Sequence, residues 1–103
     1  MKSIDVVNEI HPLLYDRVRL ALMVTLINLT RPVEFNVLLE ALNLTKGNLS
    51  SHTQKLEEAE LIQIRKEFVE KKPKTTYVCT ELGRNELKKY LLSIEKLLTQ
   101  TRQ

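Results

Sequence analysis

The stretch "LLEALNLTKGNLSSHTQKLEEAELI", Leu38 to Ile62, decides how this chain folds. Asn43 separates two runs of helical character, and Asn tolerates the left-handed backbone that a tight turn requires. Thr45 is a residue type suited to cap a new helix, expected over residues 45–59. At about 3.6 residues per turn, Leu49, Thr53 and Leu56 share the inward face of that helix. Gly47, Asn48, Ser51, Gln54 and Lys55 face away, with Ser50 at the border. The outward residues are small or polar, and no acid occurs in this helix before Glu57. Surface helices usually mix both signs of charge, so a face kept clear of acids calls for an explanation.

Upstream, Thr30-Arg31-Pro32 closes an earlier helix, because the residue before a proline avoids the helical region. That first helix is expected over 13–29, with Pro12 placed to begin it. Its apolar residues occupy more than one face: Leu14, Val18, Ala21 and Leu22 on one side, Leu13, Leu20, Val24 and Ile27 on another. Such a helix is buried centrally or in a subunit interface. A short second helix over 33–42 spaces Val37, Leu38, Ala41 and Leu42 for burial. Before Pro12, the residues Ile4, Val6, Val7 and Ile10 fit either a short helix or an extended arm.

Downstream the period changes. "IQIRKEFVE" alternates Ile62, Ile64 and Phe68 against Gln63, Arg65 and Glu67, the pattern of a half-buried strand. "KKPK" at 71–74 reads as a turn and "TTYVCT" at 75–80 as a second strand, giving a hairpin over 62–80. Thr80 then caps a final helix over 81–100. There Leu87, Leu91, Ile94 and Leu98 make a coiled-coil-like seam, widened by Tyr90 and Leu97.

Composition bounds the function. With 103 residues, 43% hydrophobic and 28% charged, the chain is sized for one globular domain. A lone cysteine, Cys79, cannot form an internal disulfide or by itself supply a structural zinc site. The most apolar window, Leu20 to Leu29, is shorter than the roughly 20 residues of a spanning helix. The amino-terminal residues lack the apolar core of a signal peptide, so a soluble, cytoplasmic protein is expected. Net charge is +3, and residues 65–74 alone carry +3. Clustered positive charge is the footprint of an anionic partner. No glycine-rich phosphate loop, metal-ligand cluster or acid–base pair can be assembled, so no enzyme, metal or cofactor is expected. "SSH" at 50–52 does not change this, because adjacent helical residues point in different directions.

The order helix, helix, tight turn, helix, hairpin, helix, carried by the opening stretch and by "KEFVEKKPKTTYVCTELGRNEL", resembles the winged helix-turn-helix transcriptional regulators. The resemblance runs from about Leu13 to Leu98 and is nearest to the small single-domain MarR and ArsR groups. Leu38, Ala41, Leu42, Leu44, Leu49 and Leu56 match its buried positions, and Thr80-x-x-Gly83-Arg84 matches the opening of its last helix. The chain departs from the pattern at three points. Glu60 stands where many relatives have Gly, the wing turn has Pro73 and no Gly, and the cysteine-rich metal box is missing. The implied fold is mainly α with a small β-hairpin, a single domain with a long C-terminal dimerisation helix.

The resemblance implies a homodimer on double-stranded DNA, with the third helix in the major groove and the wing on the backbone or minor groove. The residue chemistry agrees: Asn and Gln pair with adenine edges, Lys with guanine or phosphate, and Ser with either. Expected contacts from the recognition helix are Thr45, Lys46, Gly47, Asn48, Ser50, Ser51, Gln54 and Lys55. Those from the wing are Arg65, Lys66, Lys71, Lys72 and Lys74, with Glu67 and Glu70 pointing away from DNA or paired with nearby Lys and Arg side chains. The dimer residues are Leu87, Tyr90, Leu91, Ile94, Leu97 and Leu98; two-fold symmetry would set the recognition helices about 34 Å apart. The other reading is a winged-helix module that binds protein and not DNA. Cys79 is expected as a small buried hydrophobe, and His52 as a packing or phosphate contact. No cluster of polar residues announces a small-molecule effector.

Overall fold

The computed structural model describes residues 2–29 and 31–101. Along the chain lie α1 (Ser3–Val7), a short 3-10 helix (Pro12–Tyr15), α2 (Arg17–Asn28), β1 (Val33–Glu34), α3 (Phe35–Leu42), α4 (Lys46–Glu58), β2 (Ile62–Val69), β3 (Lys72–Cys79) and α5 (Glu81–Thr101). The three strands form an antiparallel sheet in the order β1-β3-β2. The architecture is a mostly helical winged helix with a long C-terminal helix, as the resemblance implied.

Two of the expected helices start later than the patterning indicated. The helix expected over 13–29 is interrupted at Asp16, whose backbone is extended. The Asp16 carboxylate accepts the Val18 N–H at 2.8 Å and the Arg19 N–H at 3.0 Å, capping α2 and leaving Pro12–Tyr15 as a separate turn. Thr30, placed in the break after this helix, lies outside the described residues. The helix expected over 33–42 begins at Phe35, because Val33 and Glu34 pair with Tyr77 and Thr76 as a third strand. The short amino-terminal segment is helical.

The turn between α3 and α4 follows from its residues. Asn43 takes φ 52° and ψ 50°, the left-handed conformation, and its N–H donates to the Leu39 carbonyl. Thr45 Oγ1 then accepts the Asn48 N–H at 3.2 Å, and α4 begins at Lys46. At the other end of α4, Glu60 holds φ 62°. Its N–H donates to the Glu57 carbonyl and that of Leu61 to the Leu56 carbonyl, both at 2.9 Å, which closes the last turn. Leu56 and Leu61 are both fully buried, completing the apolar contact that accompanies such a cap.

The core gathers Ile10, Leu14, Leu22, Met23, Leu26, Val33, Leu38, Leu49, Leu56, Leu61, Ile62, Tyr77 and Cys79. It joins α2, α3 and the inner face of α4 to the near end of the sheet. Thr80 ties the sheet to α5: its hydroxyl donates to the Glu60 carbonyl at 2.6 Å and accepts the Gly83 N–H at 3.0 Å. A Cβ on Gly83 would overlap the Leu61 carbonyl oxygen and crowd Met23 and Cys79, so only glycine lets α5 start this close.

The hairpin differs from the expected one in two respects. Its turn is Glu70-Lys71, at φ 52° and 67°, and not "KKPK"; Val69 pairs with Lys72 and Phe68 with Pro73. Positive φ at both central residues matches the right-handed twist of the flanking strands, so a two-residue loop closes the hairpin without glycine. The alternation also outruns the core. Ile62 is buried and Ile64 half-buried, but Phe68 is 78% exposed. The molecule measures 59 × 25 × 22 Å. Its radius of gyration, 15.6 Å, exceeds the about 13 Å of a compact chain of this length.

Candidate nucleic-acid interface

The outward face of α4 is built by the inward one. Leu49, Thr53 and Leu56 are buried, which leaves Thr45, Lys46, Gly47, Asn48, Ser50, Ser51, Gln54 and Lys55 exposed together. Thr53 satisfies its hydroxyl within the helix by donating to the Leu49 carbonyl at 2.8 Å. Gly47 has open space around it, since nothing lies within 4 Å of where a Cβ would stand. That fits a face shaped for close approach.

β2 and β3 stand beside this helix. Ser50, Thr53 and Gln54 share a cleft of about 270 Å³ with Phe35, Ile64, Lys66, Thr75 and Tyr77. Lys66 therefore sits on the sheet face turned toward α4. Arg65, Glu67 and Lys74 take the opposite face, where they line a depression of about 690 Å³ with Arg31, Glu34 and Val37. Arg65, Lys66, Lys71 and Lys72 are exposed. Lys74 is half-buried, and its ammonium lies 3.3 Å from the Glu34 carboxylate. The hairpin thus gathers four of its five expected cations at the surface and spends the fifth on a bridge to β1.

A second group supports α4 from behind. The Arg19 guanidinium donates from Nε to the Leu13 carbonyl at 2.9 Å and from Nη1 to His52 Nδ1 at 3.3 Å. His52 is half-buried there, between the two faces of the helix. The Arg19 and Val18 N–H groups and the Arg19 and His52 side chains hold the Asp16 carboxyl below its ordinary range, against the opposing effect of burial. Sequence patterning missed this Asp16–Arg19–His52 cluster, because His52 on α4 lies 33 positions from Arg19 on α2. Burial pushes the Cys79 thiol up, and its Sγ donates to the Thr80 carbonyl at 3.3 Å. It is a packed core side chain.

The apolar stripe of α5 divides in two. Leu87 is buried and Tyr90 packs half-buried against the core of the same chain. Leu91, Ile94 and Leu98 are 56%, 43% and 50% exposed, and Leu97 is half-buried. Leu92, outside the expected seam, is exposed to 56%. α1 packs against this helix, with Ser3 donating to Gln100 at 3.0 Å and Glu9, just beyond α1, lying 3.3 Å from the Lys96 ammonium. Among the described residues, no group of three His, Cys, Asp or Glu could hold a metal ion, and no helix is long and apolar enough to cross a membrane.

Comparison with known proteins places this geometry. Residues 18–98 match the sequence profile of the family described as "Winged helix DNA-binding domain". An uncharacterized protein of Methanocaldococcus jannaschii is 42% identical over 64 residues, spanning 62% of this chain and 70% of its own. The transcriptional regulator homologue protein from Pyrococcus horikoshii OT3 superposes with a TM-score of 0.84 at 28% identity over 98% of both chains. A "possible transcriptional regulator" from Methanosarcina mazei Go1 shares the fold, with a TM-score of 0.62 at 22% identity over 98% of this chain and 86% of its own.

Proposed function

The chain belongs to the winged helix DNA-binding domain family, and from that membership we propose that it is a sequence-specific transcriptional regulator acting on double-stranded DNA as a homodimer. α4 enters the major groove and the hairpin lies on the backbone or in the adjoining minor groove. The observation that carries this reading is the acid-free outward face of α4 between Thr45 and Lys55, next to a hairpin that exposes four cations. Asn48, Ser50, Ser51 and Gln54 supply hydrogen-bonding groups for base edges, and Lys46 and Lys55 supply charge. The fold family is one of DNA-binding regulators and not of enzymes. The likeness to the Pyrococcus horikoshii protein, described as a transcriptional regulator homologue, supports the regulatory role.

The exposed leucines of α5 supply the homodimer contact. Leu91, Ile94 and Leu98 are left bare by a helix that has already buried Leu87 in its own domain. Pairing them across a two-fold axis would remove apolar surface worth about 25 cal/mol per Å².

The test is selection from a pool of random duplexes, followed by titration of the selected site at rising salt. Wild type is compared with a Ser51→Glu, Lys55→Glu variant. The reading predicts an enriched site, affinity that falls steeply with salt, and loss on the order of a thousandfold in the variant, since like-charge juxtaposition costs several kcal/mol. A wild type that enriches no sequence and shows no salt-dependent binding sinks the reading in favour of a protein-binding module.

A further inference from the structure

The tip of the hairpin carries an aromatic ring that the fold does not use. Phe68, at 78%, is the most exposed large hydrophobic side chain among the described residues, and it belongs to no part of the core. Its place is set by the two-residue turn, which pairs Phe68 with Pro73. Directly paired residues of an antiparallel ladder share a face, and faces alternate along a strand. Phe68 and Pro73 therefore lie on the same sheet face as Lys66 and Ile64, the face that borders α4. The other face, with Arg65, Glu67 and Lys74, turns toward β1 and α3.

Fully burying a phenylalanine is worth about 1.5–3 kcal/mol, and folding forgoes this here. The surroundings say what kind of partner recovers it. Lys66 shares the face of the ring and Lys71 stands in the turn beside it, both exposed, while Lys72 is exposed on the reverse face with Val69, a setting that attracts an anionic surface and repels a cationic one. Glu70, at the apex, is the single acid in the turn. The reach is also suitable. Phe68 lies four residues beyond Ile64, about 13 Å at the rise of a strand. Half a turn of DNA, about 17 Å, separates a major groove from the minor groove beside it.

Resting on the reading of α4 as the major-groove element, we propose that Phe68, backed by Pro73, is an apolar wedge that enters the flanking minor groove and opens a base step. Lysines on either side bind the phosphates that border the groove, and the ring replaces base–base stacking lost at the step. Pyrimidine–purine steps unstack most easily, so the wedge adds sequence preference at a position where no hydrogen bond reads a base.

The experiment uses a duplex of about 30 base pairs, within the range where bending is measurable, carrying the selected site with a donor and an acceptor dye at its ends. Wild type, Phe68→Ala, Phe68→Leu and a Lys71→Ala, Lys72→Ala variant are titrated across a salt series. Phe68→Ala is expected to weaken binding about tenfold, the equivalent of part of one buried aromatic ring. Its salt dependence stays that of wild type, because no phosphate contact is lost. Its complex also shows a lower end-to-end transfer efficiency, as the DNA straightens, and Phe68→Leu restores most of the bend. Binding and bend unchanged in Phe68→Ala, with wild type still selecting its site, overturn the wedge and leave the α4 reading intact. Phe68→Ala losing affinity together with salt dependence also overturns it, since the ring would then only position the lysines. A wild type that binds no duplex overturns both, and a change in self-association of Phe68→Ala without DNA assigns the ring to a protein contact.

Discussion

α4 and α5 each show solvent a face that folding leaves unused, and the two faces are chemically opposite. On α4 the bare surface is Asn, Ser, Gln, Lys and Gly; on α5 it is Leu91, Leu92, Ile94 and Leu98. Both helices bury their other face in the same way, with Leu49 and Leu56 on α4 and Leu87 on α5. The difference lies in what would complete them. A polar, acid-free surface gains little from apolar contact but keeps hydrogen bonds and positive charge for a polyanion. A leucine surface gains from losing water, and another apolar surface is its natural cover. One domain thus offers two unlike interfaces at separate ends, one proposed for DNA and one for a second copy.

If that division is right, each interface can be damaged alone. The largest effect is expected from Leu91→Glu with Leu98→Glu, which should weaken self-association by about ten-thousandfold or more, given about 1.5–3 kcal/mol for each of the leucines that the two copies would bury. Sedimentation equilibrium would show it, while the melting temperature of the monomer stays close to wild type. Next comes Lys71→Ala with Lys72→Ala. Removing two phosphate contacts from each protomer of the proposed dimer should lower the slope of log affinity against log salt by about 3.6, with the preferred site unchanged. Together these two variants sharpen the contrast, since each should spare the other's readout.

Smaller effects report on the frame behind α4. Asp16→Ala removes the cap of α2 and should cost about 1 kcal/mol, read by urea denaturation at neutral pH. The same side chain sets a pH dependence. Its folded-state pKa is lowered, so its stabilisation is complete above the ordinary aspartate value, about 3.9, and fades as pH falls through the lower folded value. Wild type should therefore lose part of its stability over the acid side of that value, and Asp16→Ala should lack that part. The smallest change is Glu60→Gly, expected to stabilise by about 1 kcal/mol by relieving a left-handed L-residue. DNA affinity should not move, because the backbone carbonyl that Thr80 bonds is retained.

The sequence made α4 and its two faces legible because an amphipathic helix with a capping Thr and a turn Asn is a local pattern, written within about twenty residues. What escaped depends on distant partners. Val33-Glu34 becomes a strand only because β3 passes beside it. The break at Asp16 was hidden by apolar residues on every side of 13–29, which gave no phase against which a kink would stand out. Phe68 was misplaced because alternation tells which face a residue takes and not how far the core extends beneath that face. Pro73 drew the expected turn two positions too far, since neither Glu70 nor Lys71 is a residue type that favours positive φ. Lys74 was grouped with the free cations, and its bridge to Glu34 could not be seen without β1.

The central claim, that α4 lies in a DNA groove and does so twice per complex, can be tested by cutting the DNA from the helix itself. A cysteine introduced as Glu58→Cys, exposed on α4 but outside the proposed contacts, would carry an iron chelate that generates hydroxyl radicals. Cys79 would not compete for the reagent, being buried with its thiol pKa raised. The account predicts two clusters of strand cleavage on the selected duplex, one for each half-site, about one helical turn apart. Cleavage spread evenly along the duplex, or no stronger than from a chelate on α5 at Lys88→Cys, would contradict it.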